Sequence, residues 1–116
     1  MAKKATNPAI EYITLPVAHV QAIQTVRSPF TKNEHTCFDS FNLGLHVGDN
    51  EASVVENRKT LQKNLPESNQ IQWLEQVHGS DVLIIDNIIT PAPKADAIIT
   101  RTPNLALAIM TADCLP

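Results

Sequence analysis

The sequence predicts an α+β domain with at least one mixed sheet. One helical periodicity stands alone near the middle of the chain, and five or six short apolar segments of strand character flank it. Between Arg27 and Asp49 no period is found at all, and Ser, Thr, Asn, Asp and Gly dominate. The 116 residues are read as a single domain, since that length supports one modest core.

Residues 1–10 are expected to be loosely attached. Glu11 to Leu15 and Val20 to Val26 are weak strand candidates separated by Pro16. The stretch from Arg27 to Asp49 reads as one long loop, and loops of that length are often functional. A helix follows, with Asp49 or Asn50 as its cap and acidic Glu51 in its first turn. Val54, Leu61 and Leu65 line one face, and Pro66 closes it. Arg58 falls on that same face. Its stem can simply lie along the edge of the core. Alternatively, its guanidinium is aimed at an anionic substrate group or at the preceding loop.

Beyond the helix, Ile71, Trp73 and Val77 alternate with Gln70, Gln72 and Gln76. That predicts a half-buried strand with His78 on the glutamine-bearing face. Gly79-Ser80 turns the chain into a strand over Val82 to Ile85, and Pro91 and Pro93 mark a loop. Ala97 to Thr100 and Leu105 to Thr111 predict a hairpin around Thr102-Pro103-Asn104. Further along, Cys114 shares a strand face with Met110 and Ala112, while Asp113 points the other way. The apolar run continues to Pro116 without a polar tail, although chain ends usually fray into polar residues. The chain is therefore read as the N-terminal portion of a larger domain.

Composition narrows the function. Net charge is −3 and no basic run is longer than a pair such as Lys3-Lys4, which argues against a nucleic-acid surface. No apolar stretch reaches the roughly 18 residues of a membrane span, and the start lacks a signal-peptide core. Two distant cysteines, Cys37 and Cys114, do not make a disulfide framework, so a reducing, cytoplasmic location is expected. Neither GxGxxG nor GxxxxGK[ST] occurs, so no standard nucleotide cradle is present.

His78 and Cys114 are candidate metal ligands because each ends an apolar strand, and imidazole with thiolate is half of a zinc site. Taken singly, a strand-end histidine is more often structural, and a free cysteine is more often a small buried hydrophobe. Their separation matches no zinc-finger spacing. His35 and Cys37 form a competing pair in the long loop, while His46 lies between Gly44 and Gly48 and His19 is unplaced. A cysteine hydrolase built on Cys114 and His78 is a further possibility, with Asp113 on the wrong face to assist.

Five phrases in order narrow these readings: Phe41 to Asp49 (FNLGLHVGD), Asn57-Arg58, Trp73 to Gly79 (WLEQVHG), Ala95-Asp96-Ala97, and Thr111 to Pro116 (TADCLP). Together they resemble the YfiH-like family, also called the multicopper polyphenol oxidase or laccase-domain family. The likeness runs from about Arg27 to Pro116. It implies a layered α/β/β/α fold of α+β class, with mixed β-sheets, of which this chain is the N-terminal part. It also implies a zinc-dependent purine nucleoside phosphorylase that acts on adenosine, inosine, guanosine and methylthioadenosine, with adenosine deamination as a second activity.

The resemblance assigns His78 and Cys114 as metal ligands and catalytic residues. The family's second histidine, from a later His-Ala-Gly-Trp-Arg-Gly phrase, has no counterpart in this chain. Arg27 departs from the pattern, being followed by Ser28-Pro29 where the family has a glycine pair. From residue type and position, Arg58 and Arg27 are candidates to hold phosphate or ribose, and Asn42 to bind the sugar. Expected partners are purine nucleosides and phosphate, with no nucleic acid and no membrane. Copper is less favoured than zinc, because four scattered histidines do not make the ligand sets of a multicopper oxidase. A copper-dependent phenol oxidase and a hydrolase editing cell-wall precursors are the enzymatic alternatives. The other alternative is an inactive fragment that forms a homodimer or swaps strands to cover a sheet edge.

Overall fold

A computed structural model describes residues 9–26, 41–45, 47–66 and 69–111. They fall in two units, Met1–Asn64 and Leu65–Pro116. In the first, strands β1 (Ile10–Ile13) and β2 (Ala22–Thr25) pair antiparallel, with Ile10 opposite Thr25 and Ile13 opposite Ala22. The ladder extends by one bond from the Val26 N–H to the Ala9 carbonyl, and Ala9 is buried. The expected loose segment therefore ends earlier than its composition suggests, because Ile10 already belongs to a strand. Residues 1–8 lie outside the described residues. His19 stands exposed in the connection, in the left-handed region with φ 67°.

Helix α1 (Glu51–Lys63) opens on Asn50, whose side-chain oxygen accepts from the N–H groups of Ala52 and Ser53. That satisfies two of the donors a helix start leaves without partners. Glu51 in the first turn and Lys63 in the last complement the helix dipole. Val54 and Leu61 are buried, Asn57 and Arg58 are half-buried between them, and Leu65 beyond the helix is half-buried. The helix ends at Asn64, two residues before Pro66.

The second unit contains two parallel pairs. β3 (Gln70–Gln72) runs beside β6 (Leu105–Leu107), and β4 (Val82–Ile85) beside β5 (Ala97–Thr100). An isolated parallel bridge joins Glu75 to Lys94. Leu74, Ile85 and Ala95 are buried in this unit. β4 alternates as an apolar strand does: Leu83 and Ile85 are turned inward, while Ile84 is 77% exposed. With one helix and strand pairs of both directions, the α+β class holds.

Two sequence expectations are overturned here. Ala97 to Thr100 and Leu105 to Thr111 do not form a hairpin, since β5 pairs with β4 and β6 with β3. Threonine hydroxyls hold the end of β5 to β4. Thr100 Oγ1 donates to the Ile85 carbonyl and Thr102 Oγ1 to that of Asp86, each at 2.7 Å. The chain then leaves for the other sheet through Pro103 and Asn104, the latter at φ 61°. β6 also stops at Leu107, although the Ala108 N–H still bonds the Gln72 carbonyl.

The second correction concerns the glutamines of the 70–77 segment, expected to face solvent. Gln72 is only 1% exposed, whereas Val77 is 47% exposed. The Gln72 amide oxygen accepts from the Ile89 N–H at 2.7 Å, and its Nε2 donates to the Ile89 and Trp73 carbonyls. An amide has the donor and acceptor of a peptide group, so glutamine can serve as a ladder partner where no strand is available. Alternation in hydropathy does not reveal that use.

Gln72→Leu would leave the Ile89 N–H and carbonyl without this partner. We expect a loss of about 1–3 kcal/mol in urea unfolding followed by Trp73 fluorescence. Asn50→Ala should cost about 1 kcal/mol through the lost cap, read by far-UV circular dichroism. A neutral Gln72→Leu variant would refute the role given to the buried amide.

Candidate functional site

His78 sits in a turn held by one carboxylate. Asp96 Oδ1 accepts from the N–H groups of Val77 at 3.1 Å and His78 at 2.9 Å, and Oδ2 accepts from that of Gly79 at 2.7 Å. His78 itself has φ 56°, in the left-handed region that non-glycine residues seldom enter. Asp96 is well anchored for this task. Its own N–H donates to the Asp81 carbonyl, it adjoins the first residue of β5, and it follows buried Ala95, whose N–H bonds the Glu75 carbonyl. A Cβ at Gly79 would stand 3.4 Å from Asp96 Oδ2, so space alone does not demand a glycine there.

The Gly79 N–H is the largest of the effects that hold the Asp96 carboxyl below its ordinary 3.8. Partial desolvation opposes it, and the His78 and Val77 N–H groups and the charge of His78 add to the lowering.

A second side chain ties this segment to the stretch that follows β6. Gln76 accepts from the Met110 N–H at 2.7 Å and donates to the Met110 carbonyl at 3.0 Å. Gln76 is two residues before His78, and Met110 is four before Cys114. Cys114 lies outside the described residues, as do Arg27, His35, Cys37 and His46.

Asn42 and Arg58 belong to the first unit, where they shape one loop. Arg58 Nε donates to the Leu43 carbonyl at 2.9 Å, and Asn57 Nδ2 donates to the Asn42 carbonyl at 2.8 Å. The Asn42 amide turns back on its own loop, accepting from the Gly44 N–H and donating to the Gly44 carbonyl and to Asp49. Asp49 in turn accepts from the Asn50 N–H, so the loop is continuous with the helix cap. Of the readings given for Arg58, contact with the preceding loop is the one observed. Burial lowers its pKa from the ordinary arginine value, which leaves an arginine charged.

Among the described residues, no group of three or more His, Cys, Asp or Glu side chains is placed to hold a metal ion. His78 is exposed, and the oxygens of nearby Asp96 are engaged by backbone N–H groups. The donor types expected of this chain, imidazole and thiolate, suit zinc, but two donors do not complete a site. Reasoning from sequence missed Asp96 and Gln76 as the groups that hold the His78 segment. The available signal was an aspartate placed just before a strand, opposite a His-Gly turn.

Because the Asp96 carboxyl titrates lower folded than unfolded, its contacts add stability above the unfolded value and lose it as pH falls through the folded one. The Val77, His78 and Gly79 amide resonances should therefore hold their positions at mildly acidic pH. They should move together only below the ordinary carboxylate range. Asp96→Asn should abolish that step, and its persistence in the variant would assign it to another group.

Comparison with known proteins follows the same motifs. A family described as multi-copper polyphenol oxidoreductase laccase matches residues 22–116. The purine nucleoside phosphorylase YfiH of Shigella flexneri is 51% identical over 81 residues, covering 68% of this chain and 32% of the relative. A purine nucleoside phosphorylase of Pseudomonas aeruginosa is 41% identical over 99 residues, covering 85% of this chain and 38% of that one. Among solved structures, a Neisseria meningitidis protein of the DUF152 family superposes with a TM-score of 0.74 at 32% identity, over 91% of this chain and 43% of its own. The chain thus spans about a third of the length of the curated relatives it matches. No helix among the described residues is long and apolar enough to cross a membrane. With both the sequence match and the fold in agreement, the chain belongs to the multi-copper polyphenol oxidoreductase laccase family.

Proposed function

We propose that this chain supplies part of the active site of a zinc-dependent purine nucleoside phosphorylase, with adenosine deamination as a second activity. The supporting observation is the 51% identity, over 81 residues, to a relative named as a purine nucleoside phosphorylase. The reaction is displacement at C1′ of the ribose. Phosphate oxygen forms a bond to C1′, the bond from C1′ to the purine nitrogen breaks, and the base leaves with its electron pair and takes up a proton. Stabilising the charge that develops on the leaving base is the main demand on the site.

His78 and Cys114 are assigned as the zinc ligands, with a further ligand from outside this chain. When bound, zinc would supply Lewis acidity to the reacting groups. The residues of the chain bind and orient. Arg58 and Arg27 are assigned to the anionic phosphate, and Asn42 to the sugar. For Asn42 and Arg58 the contacts with the Leu43–Gly44 loop favour presenting that loop to the ligand as the main contribution. Adenosine, inosine, guanosine and methylthioadenosine are the proposed substrates. A copper phenol oxidase is the second reading, favoured by the family's descriptive name alone.

The test is a chimera in which residues 22–116 replace the matching segment of the Escherichia coli relative. Phosphate-dependent release of hypoxanthine from inosine is expected. His78→Ala and Cys114→Ser should each lower it by about 100-fold or more, since loss of an outer-shell partner alone often costs about 10–100-fold. Activity that survives both substitutions would remove these residues from the reaction. Copper-dependent oxidation of a phenol without purine release would favour the second reading.

A further inference from the structure

We infer that Asp96 is a positioning residue for His78: its carboxylate clamps the backbone of residues 77–79 and so sets where the imidazole is presented. This rests on the reading of His78 as a metal ligand. The geometry is that of a nest, in which successive backbone N–H groups converge on one anion. Here the anion is built into the chain, and the bonds at 3.1, 2.9 and 2.7 Å come from three consecutive residues. A carboxylate that receives three N–H groups on its two oxygens is directed at the backbone, which separates its role from that of a ligand.

The clamp joins a strand-anchored base to an irregular segment. Asp96 is tied to Asp81 through its backbone and leads directly into β5, which pairs with β4 along all four of its residues. The 77–79 segment, by contrast, is exposed and belongs to no strand. Without the carboxylate, little else fixes a left-handed φ at a histidine, because the favourable alternative for that residue is an extended or right-handed backbone. A ligand whose backbone is ordered beforehand loses less conformational entropy when a metal binds. Asp96 therefore acts on affinity through the turn, without touching the metal or substrate.

The experiment is nuclear magnetic resonance on the chimera of residues 22–116 with the Escherichia coli relative, which can supply the further ligand, titrated with zinc chloride. In the unsubstituted chimera, zinc should shift the His78 ring signals, and the Val77, His78 and Gly79 amides should resist hydrogen exchange. Asp96→Asn should lose that protection and weaken zinc binding by about 10-fold or more, while the β4 and β5 amides remain as they were. Thr102→Val, which loses a contact in the same unit without touching the turn, should leave zinc affinity within about twofold. That contrast separates positioning from general destabilisation.

Asp96→Glu guards against a misfolded asparagine variant. It keeps the charge but displaces the oxygens, and it should also weaken zinc binding. Either variant losing amide protection yet binding zinc as tightly as the unsubstituted chimera would overturn the inference and leave the His78 reading intact. An unsubstituted chimera whose His78 ring ignores zinc would overturn both.

Discussion

Backbone polar groups must find partners, and the strands of this chain are too short to provide them all. β3 and β6 are each three residues long, and none of the other strands among the described residues exceeds four. Every N–H and carbonyl left over at a strand end or turn has to meet water or a side chain. Polar side chains recur at those places. Gln72 serves Ile89, Gln76 serves Met110, Asp96 serves residues 77–79, and Thr100 and Thr102 serve Ile85 and Asp86. In the first unit, Asn57 and Arg58 do the same for Asn42 and Leu43. The described second unit is connected through amides, hydroxyls and a carboxylate as much as through its parallel ladders.

That arrangement decides which parts of the fold could be read from sequence. α1 was legible because its signals are local: a cap at Asn50, Glu51 in the first turn, and Val54 and Leu61 on one face. β4 and β5 were legible as segments, being continuous apolar runs with clear turn residues beside them. Their partners were not. Adjacent strands often pair with each other, which favoured a hairpin, but β5 pairs back with β4 across the loop that holds Pro91 and Pro93. Parallel pairing across a connection of this length leaves no mark in hydropathy. The 70–77 segment failed for a different reason. Its alternation was real, but a glutamine can be the buried residue when its amide replaces a strand, and Gln72 is.

The candidate site was legible in its chemistry and less so in its support. Imidazole and thiolate are recognisable as residue types, and the order of the motifs pointed to the family that the comparisons bear out. The groups that hold His78 in place act through backbone atoms, for which any acceptor of suitable reach would do. An aspartate eighteen residues away in the chain is therefore invisible until the fold brings it back. The same holds for Asn42, whose amide looked available for a sugar hydroxyl and is folded onto Gly44 and Asp49.

A division of labour follows from these contacts. In the second unit, Gln76 and Asp96 act on the same four-residue stretch from opposite directions in sequence, one reaching forward to Met110 and the other back from the start of β5. Gln76 relates the stretch to Met110, just beyond β6, and Asp96 holds its end in a left-handed turn at His78. A segment held this way can stay exposed and irregular without being loosely held.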